Sequence, residues 1–392
     1  MRQALLIVFY LLFHLFLCFT LLFWSRKITK SKLVKGIIIL GTCIATVLPM
    51  DGAFSVHHGH FQNQLRGAGN IWLGIAVYLM TALLFCWILY PFLLLWKKKH
   101  TLPFQDKTLA KGVLVFAALN SLIFNIAGSA IAQHPKVVDY TVDLAKEDTE
   151  KKNLDIVLLT DLHLGVNTRV KTIDKAVDTV KNLHPDLVLI GGDIFTSSFS
   201  GVPSSEHLEE TFKGMSDRIP TYFVYGNHDV EEGLLSGFAW ADPKEALRSK
   251  EMEDFVSLSG FRDLNDKTMV YKGVQFAGRK DMSKTGDGTN IRLSPKDLLA
   301  PLDHTLPTVV LEHEPVEYKE LKEAGANLVL GGHTHAGQIW PGTVYTALTN
   351  PCGSGMKMVD GVEAITSSGL GFYGPPIRTG CISEISYIHL QY

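Results

Sequence analysis

The spacing of apolar positions divides this chain into two unlike parts. Up to residue 132 apolar side chains run in long stretches, about 4–24, 36–54, 71–96 and 113–131. Three of these reach the roughly 20 residues a helix needs to cross a bilayer, and the second approaches that length when Ala53 and Phe54 are included, with Asp51 near its end. The pattern predicts a four-helix transmembrane region over 1–132, with Trp24, Trp72 and Trp96 as interfacial anchors and a kink at Pro91. Beyond residue 132 the apolar runs shorten to 154–160, 187–190, 221–225, 308–311 and 327–330, each leading directly into polar residues. Between the first two, Ile173, Val177, Val180 and Leu183 recur at helical spacing, which predicts a β-α-β unit. Residues 133–153 read as a polar linker leading into a mixed α/β domain over 154–392.

Composition and charge sharpen this division. Of 392 residues 46% are apolar and 19% charged, which excludes disordered and low-complexity classes. The formal charge of -2 is a cancellation: residues 1–132 carry 12 Lys/Arg against Asp51 and Asp106, a net of +10, whereas residues 133–392 carry 25 Lys/Arg against 37 Asp/Glu, a net of -12. An acidic domain argues against a nucleic-acid partner. The basic residues are also unevenly placed, with Arg26, Lys27, Lys30, Lys32 and Lys35 in the first loop, Lys97, Lys98, Lys99, Lys107 and Lys111 in the third, and only Arg66 between them. The positive-inside rule makes the first and third loops cytoplasmic. Four spans then place everything after residue 131 outside the cytoplasm, as the domain of an integral, multi-pass membrane protein.

The predicted strand ends carry the chemistry. Asp161 and His163 follow the first strand, Asp193 the second, Asn227, His228 and Asp229 the third, His313 the fourth, and His333 and His335 the fifth. Alternation along an extended segment would put Asp161 with His163, and His333 with His335, on one side. Five donor clusters at five strand ends point to a pair of divalent cations, and imidazole with carboxylate favours Mn, Fe or Zn. His57, His58 and His60 read as a solvated loop, with a second metal site as the alternative. Cys352 and Cys381, the only cysteines of the acidic part, would be free to pair in an oxidising compartment.

Taken together, Asp161-x-His163, Gly192-Asp193, Gly226-Asn227-His228-Asp229, His313 and Gly332-His333-x-His335 resemble the five blocks of the calcineurin-like metallophosphoesterases. Gly332 to Gln338, Ser368 to Gly371 and Ile377-Arg378 are similar to the cell-envelope branch typified by YkuE, although Cys381 to Ile385 lacks the prolines that branch tends to show. The resemblance implies a four-layer αββα sandwich. It implies one cation on Asp161, His163, Asp193 and His335, a second on Asp193, Asn227, His313 and His333, and Asp193 as the bridge. A metal-bridging hydroxide would attack phosphorus, since two close cations lower the pKa of a shared water and clamp the phosphoryl oxygens. His228 is left to steady those oxygens or protonate the leaving group, with Asp229 either orienting its ring or forming a turn. Arg169 and Arg378 are candidate substrate-phosphate contacts. The expected function is a membrane-anchored phosphoesterase acting on a lipid-linked or cell-envelope phosphodiester. A nucleotide-sugar-lipid pyrophosphatase, a phosphomonoesterase and a non-enzymatic metal-binding sensor are the alternatives.

Overall fold

A computed structural model of the chain describes residues 2–50, 59–99, 105–144, 151–235, 238–239 and 245–392. Among the described residues four N-terminal helices come first: α1 (Arg2–Arg26), α2 (Lys32–Val47), α3 (His60–Lys99) and α4 (Asp106–Ala132). All four are long and apolar enough to cross a membrane, α2 when the short turn Leu48–Met50 is added. The second predicted span reaches residue 54, and its last four residues, like His57 and His58, lie outside the described residues. The helices pack through Leu17, Trp24, Ala76, Met80, Leu83 and Ala117. Trp24 is buried there against Trp87 and Tyr90, so it packs within the bundle and does not face an interface. Helix α3 continues through Pro91. At 40 residues it is about 60 Å long, twice the thickness of a hydrocarbon core.

Two six-stranded sheets follow. The first has the order β1-β14-β2-β3-β4-β7 and the second β12-β13-β11-β10-β9-β8. In sheet one, β1 is Lys136–Asp143, β2 Asn153–Leu159, β3 Leu187–Gly191, β4 Thr221–Val224, β7 Arg262–Asp263 and β14 Glu384–Gln391. In sheet two, β8 is Lys267–Tyr271, β9 Val274–Gly278, β10 Thr308–Leu311, β11 Leu328–Gly331, β12 Gly355–Val359 and β13 Val362–Thr366. A small hairpin, β5 (Leu234–Leu235) with β6 (Phe238–Ala239), stands apart. The stretch read as a polar linker thus contains a strand: Val137, Val138, Tyr140 and Val142 supply enough apolar contact for β1 to pair in parallel with β14.

Alternation along the strands builds the layers. Ile156 and Leu158 of β2 point between the sheets, where they meet Leu187, Leu189, Phe276, Val309, Leu311 and Leu330. Val157 and Leu159 point the other way, onto α5 (Val170–Leu183), α6 (Ser205–Ser216) and α7 (Lys250–Leu258). On the far side, Val310, Val329 and Ala364 pack against α8 (Pro295–Leu299) and α9 (Tyr318–Glu323). The result is an αββα sandwich, and the β2-α5-β3 unit is parallel.

The sandwich sits against one end of the helical bundle. Asn63 donates to the Ser200 carbonyl and Asn70 to Asn167 Oδ1, both from the polar start of α3. The segment 375–379 lies on α3 and α4: Arg378 N donates to the Gly128 carbonyl and Tyr78 bonds Thr379. Close approach there requires Gly128, since a Cβ would come within 2.9 Å of Thr379 Cγ2 and 3.0 Å of Ile377 Cβ.

Candidate metal centre

Strands β2, β3 and β4 run parallel in one sheet, and β9, β10 and β11 run parallel in the other. Their carboxyl ends converge, which is where ligand-binding residues gather in open α/β sheets. Asp161 and His163 follow β2, Asp193 follows β3, Asn227 and His228 follow β4, His313 follows β10, and His333 and His335 follow β11. All seven predicted donors meet in one cluster, but not through strand alternation. The strands end at Leu159 and Gly331, and Asp161, His163, Asp193, His333 and His335 have φ of 53, 45, 51, 73 and 49°. Left-handed backbone is costly for non-glycine residues and concentrates at functional sites. Here it turns consecutive side chains inward where a continuing strand would spread them.

Within the cluster His163 Nε2 lies 2.9 Å from His335 Nε2 and 3.5 Å from Asp193 Oδ2. His335 Nε2 lies 3.3 Å from Asp161 Oδ1, and His333 Nδ1 lies 3.1 Å from Asn227 Oδ1. The buried donors form two overlapping groups of metal-binding geometry, Asp161 with His163 and His335, and Asp161 with Asp193 and His313. Asp193 Oδ2 reaches toward both His163 and His313, at 3.5 and 3.1 Å.

His313 provides a test of fit to a cation. Its Nδ1–H donates to the Gly191 carbonyl at 2.9 Å, which leaves Nε2 as the free nitrogen. That nitrogen lies 3.1 Å from Asp193 Oδ2 and is buried without another partner. Two acceptors so placed need a proton or a metal ion between them. In the bare cluster burial opposes charging His313, but the Asp193 carboxylate outweighs it and holds the imidazolium well above the usual range. Burial likewise opposes ionising Asp193, and His313, then His228, overcomes it and keeps the carboxyl well below its ordinary value.

The other imidazoles are held neutral, the form that binds metal. Burial first, then neighbouring positive charge, lowers His163 to about 3 and His333 to about 4, and pushes His335 well down. Burial also raises Asp161 to about 6, a charge that a cation would relieve. The donor set therefore fits divalent metal.

His228 borders the cluster. Its ring stacks on Tyr373 at 4.3 Å and lies 5.6 Å from that of His163. Asp229 does not orient it: the Asp229 carboxylate accepts from Phe195 N at 2.8 Å and Gly226 N at 2.7 Å, fastening two loops. Ser197 Oγ, 2.8 Å from His228 Nδ1, and Glu232, 3.5 Å away, take that place, with Lys284 paired to Glu232. Sequence reading missed Ser197, Glu232 and Tyr373, which stand in loops without a motif; only the four-residue step from His228 to Glu232 was a signal. Arg378 does not face a substrate. It is fully buried, donating to the carbonyls of Gly369, Gly371 and Ile382, with Nη2 3.2 Å from His335 Nδ1. Arg169 is exposed and bonds Gln133. Cys352 and Cys381 are both free thiols.

Residues 154–337 match the family model described as calcineurin-like phosphoesterase. A Bos taurus protein named "Transmembrane protein with metallophosphoesterase domain" is 30% identical over 307 residues, covering 76% of this chain and 67% of the relative. The Danio rerio protein of the same name is 30% identical over 276 residues, 66% of this chain, and this chain spans 58% of its length. A solved dimetal phosphatase from Danio rerio is 13% identical with a TM-score of 0.32, covering 58% of this chain and 88% of that one. The chain belongs to the calcineurin-like phosphoesterase family, and among the described residues four helices long and apolar enough to cross a membrane precede the family's domain.

Proposed function

We propose that this protein is a membrane-anchored, dinuclear metal-dependent phosphoesterase whose substrate is a lipid-linked or cell-envelope phosphodiester. The observation that carries this is the convergence of seven donors from five strand ends, with His228 beside them. Asp161, His163, Asp193 and His335 would hold one cation, and Asp193, Asn227, His313 and His333 the other. Bound there, two cations would polarise the phosphoryl oxygens and make hydroxide available near neutral pH. The chain's own residues do the rest. Gly191 fixes the His313 tautomer, Asp229 fastens the loops bearing Asp193 and Asn227, and the Ser197–Glu232 pair sets the His228 ring. His228 then supports phosphoryl oxygen or gives a proton to the leaving oxygen.

Placement of the domain outside the cytoplasm is supported by charge. Lys27, Lys32, Lys97, Lys99, Lys107 and Lys111 belong to the helix ends opposite those that meet the sandwich. The reading is tested with full-length protein, added Mn and a generic aryl phosphodiester, against His228→Ala and Asp193→Asn. Metal-dependent turnover by the wild type, lost in both variants, is expected; its absence from the wild type sinks the proposal. Cysteine labelling on intact cells tests orientation, and shielding of the domain would reverse it.

A further inference from the structure

A cavity of about 680 Å³ lies where α3 and α4 meet the sandwich. Its walls include Ile71 of α3, Ile126 of α4, His163 and Arg169 from the loop after β2, and Ile377 from the segment docked on the bundle. The volume is that of a ligand site. Its helical wall is mostly apolar, with Asn125 and Ser129 of α4 beside Ile71 and Ile126, and it is open: the two isoleucines are 48% and 62% exposed, and both stand on helices suited to crossing a membrane. The wall thus continues onto surface that a bilayer would cover. Across the cavity stands His163, one of the clustered donors, and at its edge the exposed guanidinium of Arg169 offers a fork for anionic oxygens.

A second observation points to the same occupant. Helix α10 (Gly342–Thr349) leaves Val344, Tyr345 and Leu348 at 52, 69 and 81% exposure, and Trp340 before it at 48%. This ridge is tied to the bundle, since Ile339 bridges Thr379, which bonds Tyr78 of α3. Aromatic and aliphatic side chains so placed suit the interfacial layer of a membrane. Tyr345 and Thr349 also share a shallow depression with His333, so the ridge reaches the donor cluster on a second side.

We infer that the cavity is the acyl-chain site of a membrane lipid phosphoester, which enters sideways from the bilayer with its chain along Ile71 and Ile126 and its phosphate toward His163 and Arg169. This deepens, and rests on, the reading of the cluster as a phosphoesterase centre. A soluble ester would have no use for an apolar wall shared with the bilayer.

Full-length protein in phosphatidylcholine nanodiscs, doped with a phosphatidylcholine carrying a photoactivatable group at the carbonyl end of one acyl chain, tests occupancy without turnover. Crosslinks in residues 162–173 and 370–377, weakened by Ile126→Trp, are expected. Crosslinks confined to outward positions such as Phe9, Ile39 and Phe92 would overturn the inference. A second arm compares aryl phosphodiesters bearing a methyl or a hexadecyl chain. Wild-type kcat/KM should favour the long chain by about tenfold or more, the effect of burying roughly two methylenes, and Ile126→Trp should shrink that ratio toward one. A ratio unaffected by chain length, or unmoved by the substitution, refutes the chain site. No turnover of either compound counts against the phosphoesterase reading alone, and labelling still decides the cavity.

Discussion

Ser197 Oγ stands 2.8 Å from His228 Nδ1. The hydroxyl also lies 3.1 Å from Glu232 Oε1, so it can accept from the imidazole while donating to the carboxylate. His228→Ala should lower kcat by about 10²- to 10⁴-fold with metal content unchanged. Ser197→Ala should cost about tenfold, as a lost outer partner does. Asp229→Ala should instead act on the fold, leaving the buried amides of Phe195 and Gly226 unpaired at about 1–3 kcal/mol each. Steady-state kinetics beside thermal melts separate these. A kcat loss in Asp229→Ala with an unchanged melt would restore Asp229 as the residue that orients His228.

Metal content and stability should move together. Stripping the protein with a chelator should lower its melting temperature, and adding back Mn at about 100 times its Kd should return roughly 2.7 kcal/mol. Asp193→Asn should remove most of that response. Gly226→Ala should do so too, because a Cβ there would fall 2.3 Å from Asp193 Oδ1. Elemental analysis of the purified variants is the check, and full metal occupancy in either would contradict the assigned geometry.

Arg378→Lys tests a buttress against a substrate contact. Lysine cannot reproduce the guanidinium's bonds to three carbonyls, and a loss of about 2–4 kcal/mol is expected in denaturant unfolding. A rise in KM with stability intact would instead place the side chain against substrate.

The Lys284–Glu232 pair should set an acid limb. Burial opposes ionisation of Glu232, but His228 and Lys284 outweigh it, so its folded pKa lies below the ordinary 4.5. Its contribution to stability is therefore complete above about that pH and is lost as pH falls through the lower folded value. Lys284→Met leaves a buried carboxylate short of its partner and should cost about 3–5 kcal/mol at neutral pH. It should also move the onset of acid unfolding upward. Melts of wild type and variant across pH 3–7 read both effects; superimposable acid limbs would contradict the pairing.

Much of the architecture was written in local pattern. The five strands beginning near 154, 187, 221, 308 and 327 end within a residue of the sequence expectation, because buried parallel strands are continuous apolar runs cut off by glycine and polar residues. β1 escaped notice because its partner β14 lies some 250 residues away, and a half-exposed edge strand needs few apolar positions.

The sequence by itself determined the division into apolar helices and an acidic α/β domain, and the set of candidate donors, since hydropathy and ligand chemistry are properties of residue types in order. Tertiary structure alone decided how those donors meet and which neighbours serve them. Left-handed turns after β2, β3 and β11, not strand alternation, aim the candidate donors inward, and packing of distant loops brings Ser197 and Glu232 to His228 while turning Asp229 and Arg378 to the backbone. Such contacts depend on which chain ends and loops pack together in three dimensions, and no spacing along the chain records that.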